Sequence, residues 1–353
     1  MQVLFVTLPA YGHAAPLSSI AAELAHRGHR VAWVAHGSLK GRLLPADAEI
    51  FAVDGPPDPP SGRGGGAGVR WYFERVLPQA ATAMLPTVKS AIETWNPDVL
   101  VVEQNCLAGS IAARQAGIPW VSVHVTPILL VEPFRDLPMI QDWMNAQIAQ
   151  IQRAAGVDPL PWPIRSDRSI IASSRAFLGE HAALQAGDEL VGALVDHRGG
   201  EVIPTLPDPP RIFVSFGTEA GERGEAFLER VVQAVQPLGS VIATSVWLPV
   251  LDLLPHVDVV VCHGGQNTVT EALHFGVPLV IAPVQYDQPA VAARVEALGA
   301  GRVVSFERAD ANTLREAVAD VLTDPSYRRR AREIGASLTS GSAAAADVVL
   351  GAR

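Results

Sequence analysis

The run of residues with the most chemistry in it is Val259-Val260-Val261-Cys262-His263-Gly264-Gly265-Gln266-Asn267-Thr268. It reads as a buried strand, a sharp His-Gly-Gly turn, and a helix opened by Asn267 and Thr268. Free N–H groups at a helix start, with no side chain on two glycines to block approach, make an anion site that suits a diphosphate. The run is neither a G-x-G-x-x-G dinucleotide turn nor a P-loop, since no Gly-Lys-Ser/Thr follows the glycines. One strand further on, Asp287 and Gln288 set a carboxylate beside an amide, a pair that can grip neighbouring sugar hydroxyls. Ser215, Gly217 and Thr218 end an earlier strand, where glycine permits close backbone approach and the hydroxyls can meet a phosphate or ribose. Trp247 lies in a loop, where its flat face can stack on a base or simply pack.

A second cluster belongs to the first half of the chain. His13 follows Gly12 in the loop leaving the first strand and entering the first helix, and ligands of open α/β sheets bind at the carboxyl ends of strands. The positive end of the helix dipole disfavours a second positive charge there, so His13 reads as a neutral general base or as a ring that caps the helix start. Glu103 ends the apolar strand Val99–Val102 on the same sheet edge. A carboxylate on the other ring nitrogen would fix the tautomer and stabilise the imidazolium formed on proton uptake; a solvated rim glutamate is the alternative. There is no H-E-x-x-H, C-x-x-C or Asp-x-Asp, so no metal and no cofactor are expected. Diphosphate charge then falls to helix N-termini and His263.

These residues need a scaffold of strands and helices. A strand over 3–8, a helix over 17–24 and a strand over 31–34 alternate as a parallel sheet requires, and the alternation returns over 99–102, 108–115 and 120–123. After the Pro-rich stretch 204–210 a second series begins: a strand over 212–216, a helix over 226–235, and strands over 241–244, 257–262 and 278–283 with a helix over 268–275. The fold class is therefore α/β, with two doubly wound parallel-sheet domains. Residues 1–203 form the first, 204–210 a linker and 211–335 the second; a C-terminal helix over 336–353 is expected to pack back on the first. Gly55–Gly68, rich in Gly and Pro, reads as a loop. Residues 127–162 carry Phe134, Met139 and Trp143 at helical spacing, either lining an apolar pocket or forming a helical hairpin packed on the domain.

Composition narrows the partners. The chain has 353 residues, 48% apolar and 18% charged, which excludes disorder, collagen and coiled coil. Lys plus Arg number 27 against 36 Asp plus Glu, a net charge of −9, with no basic run to track a phosphate backbone, so nucleic acid is not an expected partner. The two cysteines sit in or beside apolar runs and indicate no disulfide framework. No basic n-region precedes the first apolar run, and no apolar stretch approaches the ~20 residues that span a bilayer. A cytoplasmic protein without membrane partners is expected, as monomer or homodimer.

Taken together, His-Gly-Gly-Gln-Asn-Thr at 263–268, Asp287-Gln288, the Ser-Phe-Gly-Thr strand end and the Gly12-His13 loop resemble the GT-B fold glycosyltransferases of family 1, in particular the actinobacterial type that decorates natural products. The resemblance implies two Rossmann-like domains facing a central cleft and a metal-independent, inverting transfer from a UDP- or dTDP-sugar to a hydroxyl of an apolar small molecule. His13 would deprotonate that hydroxyl, supported by Glu103, which stands where the family usually has Asp. Trp247 would lie against the base, and Ser215, Gly217 and Thr218 near phosphate or ribose. His263, Gly264, Gly265, Asn267 and Thr268 would hold the diphosphate, and Asp287 with Gln288 the sugar. Phe134, Met139 and Trp143 would face the acceptor. Between Thr244 and Trp247 only Ser245 and Val246 intervene, where the family carries a further loop and strand. Two other functions fit the same architecture: a nucleotide-sugar isomerase of the 2-epimerase kind, which would want more carboxylates around the sugar, and a non-catalytic nucleotide-sugar-binding protein, which would need no base at His13.

Overall fold

The computed structural model describes residues 1–54, 65–131, 137–196, 206, 208–217, 221–244, 248 and 250–352. The chain divides into two units, each built on its own sheet.

Unit 1 comprises Met1–Ser173, Glu180–Arg198 and Ser340–Arg353. Its elements begin β1 (Gln2–Val6), α1 (Tyr11–His26), β2 (Arg30–His36), β3 (Glu49–Val53) and α2 (Gly65–Trp71). A π-helical stretch, Tyr72–Val76, leads into α3 (Leu77–Trp95), β4 (Val99–Glu103), α4 (Leu107–Ala116) and β5 (Trp120–His124). Next come α5 (Pro138–Ala154) and β6 (Ser169–Ile171). The short α6 (Arg175–Leu178) belongs to unit 2, where Arg294 Nε donates to the Phe177 carbonyl, and β7 (Asp188–Leu190) returns to unit 1. The seven strands are parallel in the order β3-β2-β1-β4-β5-β6-β7.

Both faces of this sheet are covered, which is why its central strands read as unbroken apolar runs rather than alternating ones. Val3, Phe5, Val99, Val101, Val121 and Val123 pack on Leu17, Ile20 and Leu24 of α1. Leu4, Val6, Leu100 and Val102 point the other way, onto Ala80, Met84 and Val88 of α3 and Ala108 and Ala112 of α4. A third cluster gathers Phe73, Leu77, Met144, Ile148 and Trp162. Among the described residues, 127–162 hold one 3₁₀ turn and one helix, α5, rather than a helical hairpin; Pro138 sits at the helix start, where proline costs nothing.

Unit 2 comprises Ser174–Gly179 and Gly199–Thr339. It runs β8 (Arg211–Ser215), α7 (Gly221–Val235), β9 (Ser240–Thr244), α8 (Val250–Leu253), β10 (Val259–Cys262) and α9 (Gln266–His274). It continues through β11 (Leu279–Ile281), α10 (Gln288–Ala297), β12 (Gly301–Val303), α11 (Ala311–Thr323) and α12 (Pro325–Gly335). Its strands are parallel in the order β12-β11-β10-β8-β9. Ile212, Val214, Val259, Val261 and Val280 bury one face against Phe227, Val231, Leu314 and Val318.

The last helix, α13 (Ser342–Leu350), lies in unit 1. Ala345, Ala346, Val348 and Val349 join Leu17, Ile20 and Leu24 in one core, and Arg27 pairs with Asp347. Gly341 makes the approach possible, since a Cβ there would stand 2.3 Å from the Val191 carbonyl oxygen. Two expected boundaries move. Gly65–Gly68 opens α2 rather than continuing a loop, and α1 begins at Tyr11, so His13 lies in its first turn rather than ahead of it. No residue in the first turn of α1 is acidic and Ala10 provides no side-chain cap, so the usual start signals are missing.

Tight packing of α4 on the sheet gives a test. A Cβ on Gly109 would stand 2.7 Å from Val102 Cγ1 and 3.1 Å from Val6 Cβ. Alanine gains ~1 kcal/mol of helix propensity over glycine, but overpacking costs ~1–3 kcal/mol, and β-branched Val102 has few rotamers to retreat into. Gly109→Ala is expected to lower Tm by about 2–4 °C in thermal unfolding; a raised Tm would show that the helix–sheet gap can open freely.

Candidate active site

In unit 1 the carboxyl ends of β1 and β4 are neighbours, because Val6 pairs with Val102 in register. Glu103 therefore ends β4 beside the segment that leads from β1 into α1. His13 Nδ1 stands 3.2 Å from Glu103 Oε1. The histidine side chain is 24% exposed and the glutamate side chain fully buried, so Glu103 is not a solvated rim residue. The pair thus presents an imidazole edge to solvent and keeps its carboxylate dry, the arrangement by which a carboxylate orients a base.

Glu103 is itself held by the residue two positions on. Asn105 donates to Oε1 from its backbone N–H at 3.1 Å and from Nδ2 at 2.8 Å. Glu103 Oε2 is buried with no hydrogen-bond partner among the described residues, so the bonds that fix this carboxylate converge on one oxygen. Gln104 turns the other way, its Oε1 accepting from the Thr126 N–H at 3.2 Å. Sequence reasoning missed Asn105, though an Asn just past a strand end is the type that hydrogen-bonds locally and tolerates a turn.

Of the acceptor-side residues, Met139 stands 73% exposed at the start of α5. Trp143 is half-buried and tilted on Phe73 with ring centroids 5.7 Å apart. Phe134 lies outside the described residues.

In unit 2, β8, β10 and β11 end together, with Ser215 paired to Cys262 and Cys262 to Ile281. The His263 turn therefore lies between the Ser215–Gly217 strand end and the loop that carries Asp287 and Gln288. The His263 ring sits against two glycines: a Cβ on Gly217 would stand 3.1 Å from its Cε1 and one on Gly265 2.6 Å from its Nε2. Gly264 has φ +86, and a Cβ there would stand 2.8 Å from Ile281 Cγ2, a conformation and a closeness that only glycine meets without strain. Thr218 and Trp247 lie outside the described residues.

Helix α9 begins at Gln266 with Gly265 as N-cap, and no side chain caps it. Asn267 and Thr268 are thus already inside the first turn, two residues further in than expected, and the turn's backbone N–H groups face the end of the helix where an anion is favoured. Burial pushes the His263 imidazole down to about 4, against a smaller upward pull from the Ser215 backbone. At neutral pH this ring is uncharged and can offer a hydrogen bond but no positive charge.

The Asp287–Gln288 pair is divided in its work. Gln288 Oε1 accepts from the N–H groups of Val284 and Gln285, both at 2.9 Å, which folds the loop back onto α10. Its amide nitrogen is the donor left for another partner. Tyr286, at φ 56, turns the chain so that Asp287 stands at the helix start. Among the described residues no group of three His, Cys, Asp or Glu is placed to hold a metal ion, and no helix is long and apolar enough to cross a membrane.

Comparison with known proteins agrees with this layout. The EryCIII-like C-terminal domain, described as the erythromycin biosynthesis protein CIII-like C-terminal domain, matches residues 226–349. An uncharacterized UDP-glucosyltransferase, YojK, of Bacillus subtilis is 25% identical over 99% of this chain and 96% of its own. The demethyllactenocin mycarosyltransferase of Streptomyces fradiae is 26% identical over 99% of this chain and 86% of its own. The spinosyn rhamnosyltransferase SpnG complexed with thymidine diphosphate superposes with a TM-score of 0.78 at 22% identity, covering 99% of this chain and 100% of that one. The same enzyme complexed with the spinosyn aglycone gives 0.77 at the same identity and coverage. In fold the chain is similar to the GT-B glycosyltransferases, and in sequence it is similar to bacterial glycosyltransferases along nearly its whole length.

Proposed function

We propose that this protein moves a sugar from a UDP- or dTDP-sugar to a hydroxyl of an apolar natural-product aglycone, without a metal and with inversion at the anomeric carbon. The observation that carries the reading is the contact of partly exposed His13 with fully buried Glu103, at 3.2 Å. With Nδ1 turned to the carboxylate, Nε2 is the nitrogen that accepts the acceptor's proton. The acceptor oxygen then forms its bond to the anomeric carbon as the bond from that carbon to the diphosphate oxygen breaks. The electron pair leaves on the diphosphate, the proton stays on His13, and attack from the face opposite the leaving group inverts the carbon. Glu103 stabilises the imidazolium as it forms.

For the donor, the reading rests on the uncapped start of α9, on the glycines that let a diphosphate approach the backbone, and on Asp287 as partner for sugar hydroxyls. Two of the similar proteins support it by what they act on or hold: a mycarosyltransferase, and a rhamnosyltransferase crystallised with thymidine diphosphate and with its aglycone. Trp143 and Met139 would meet the acceptor's apolar body.

The test is to incubate the protein with UDP-glucose or dTDP-glucose, with and without polyphenol and polyketide acceptors, and to follow products by mass. Acceptor-dependent release of nucleotide with a glycosylated product is expected. A changed sugar without acceptor would instead identify an isomerase, and nucleotide binding without release a binding protein. His13→Ala is expected to lower kcat by roughly 10²–10⁴-fold, the usual worth of a general base, while nucleotide affinity holds; undiminished turnover would remove His13 from the chemistry.

The donor site makes a separate prediction. A methyl group at residue 265 collides with His263 Nε2, at 2.6 Å, so Gly265→Ala must displace the ring or the turn. Titration calorimetry with dTDP and UDP is expected to show Kd rising about tenfold or more, the equivalent of ~1.4 kcal/mol or more. Unchanged affinity for both would place the diphosphate elsewhere.

A further inference from the structure

The pair His13–Glu103 is built with an arm longer than an aspartate's, and something must stop that arm from wandering. We propose that Asn105 is the positioning residue that does so: its amide clamps Glu103 Oε1 against His13 Nδ1 and so sets which ring nitrogen carries the proton. This inference rests on the reading of His13 as the base.

The geometry is specific. Glutamate has one more rotatable bond than aspartate, and each added rotor multiplies the positions its oxygens can take. Oε1 nevertheless has one place, fixed by two bonds from one residue: the Asn105 backbone N–H at 3.1 Å and Nδ2 at 2.8 Å. Those two donors approach the same oxygen that lies 3.2 Å from His13 Nδ1. Oε2 makes no hydrogen bond among the described residues, so nothing on the carboxylate's other side shares the task. Asn105 is itself 95% buried, at 5% exposure, and its amide therefore spends a buried donor on this carboxylate rather than on water. Deleting the amide leaves the backbone bond in place and removes only the second anchor. The freed carboxylate can then rotate and present either oxygen, or neither, to the imidazole.

A purely structural role at the β4–α4 turn would alter stability but not the protonation pattern of His13. The decisive measurement is therefore a long-range ¹H–¹⁵N spectrum of the full chain labelled on histidine, with the His13 signals among the ten histidines assigned by their loss in His13→Ala. The wild-type protein is expected to show His13 as the Nδ1–H tautomer. In Asn105→Leu, and in the smaller Asn105→Ala should the larger side chain disturb folding, that signal is expected to give way to a mixture of tautomers. With a working acceptor, kcat should fall roughly 10- to 100-fold, the worth of a hydrogen bond to a charged group, with donor KM within about twofold. In a Glu103→Gln background the same Asn105 substitution should change kcat by less than about twofold, because residues acting through one another are not additive. A folded Asn105 variant with the wild-type tautomer and wild-type kcat would overturn the inference. If instead His13→Ala turns over normally, the base reading itself fails, and the tautomer experiment still reports whether Asn105 holds Glu103.

Discussion

A carboxylate taken wholly out of water must be hydrogen-bonded or lose its charge, and Glu103 is the point at which unit 1 meets that demand. Its position follows from the sheet: β4 lies beside β1 with Val6 opposite Val102, so the residue after Val102 emerges next to the first turn of α1. The apolar strands supply the burial, the Asn105 turn supplies donors, and His13 supplies the partner that opens to solvent. Shift the register by one residue and the side chain at that strand end points into the opposite layer of the core. The packing of both sheet faces is thus what makes a dry carboxylate and a wet imidazole possible at 3.2 Å.

To bind a diphosphate as proposed, unit 2 has the opposite task, which is to leave backbone donors uncovered. Gly264 and Gly265 keep side chains away from the start of α9, and Gly217 gives the His263 ring a place to lie. Gln288 holds the neighbouring loop by its carbonyl oxygen, which ties the loop's shape to the start of α10. The amide half of the Asp287–Gln288 pair is therefore committed in part to architecture.

Much of this was legible in the sequence, and the failures have physical causes. The long β-branched runs at 99–102, 212–216 and 259–262 stood out because central parallel strands are buried on both faces. The three-residue strands β6, β7 and β12 carry too few residues to show any period. Helix α1 was entered late because Ala10 is no capping residue and Pro16 lies inside the helix. At α9, Asn267 is a favoured capping type, yet Gly265 takes the cap position. His13 and Glu103 were both identified by their sheet edge, but no spacing could reveal that they touch across ninety residues; register does that. Asn105 was overlooked because its role exists only once Glu103 is known to be buried.

The charge of the whole chain bears on the diphosphate site proposed at the His263 turn. At −9, the protein's overall field repels a nucleotide diphosphate, and at distances beyond about 10 Å salt screens even that. The burial that holds the His263 imidazole neutral removes one side-chain charge from the turn. What remains is short-ranged and directional: N–H groups at a helix start, with the partial positive charge of its dipole, which acts within one turn. Such a site distinguishes ligands by where their oxygens fall rather than by how much charge they carry. That is why the glycines, which govern approach to within a few tenths of an ångström, matter more to this site than any single cationic side chain.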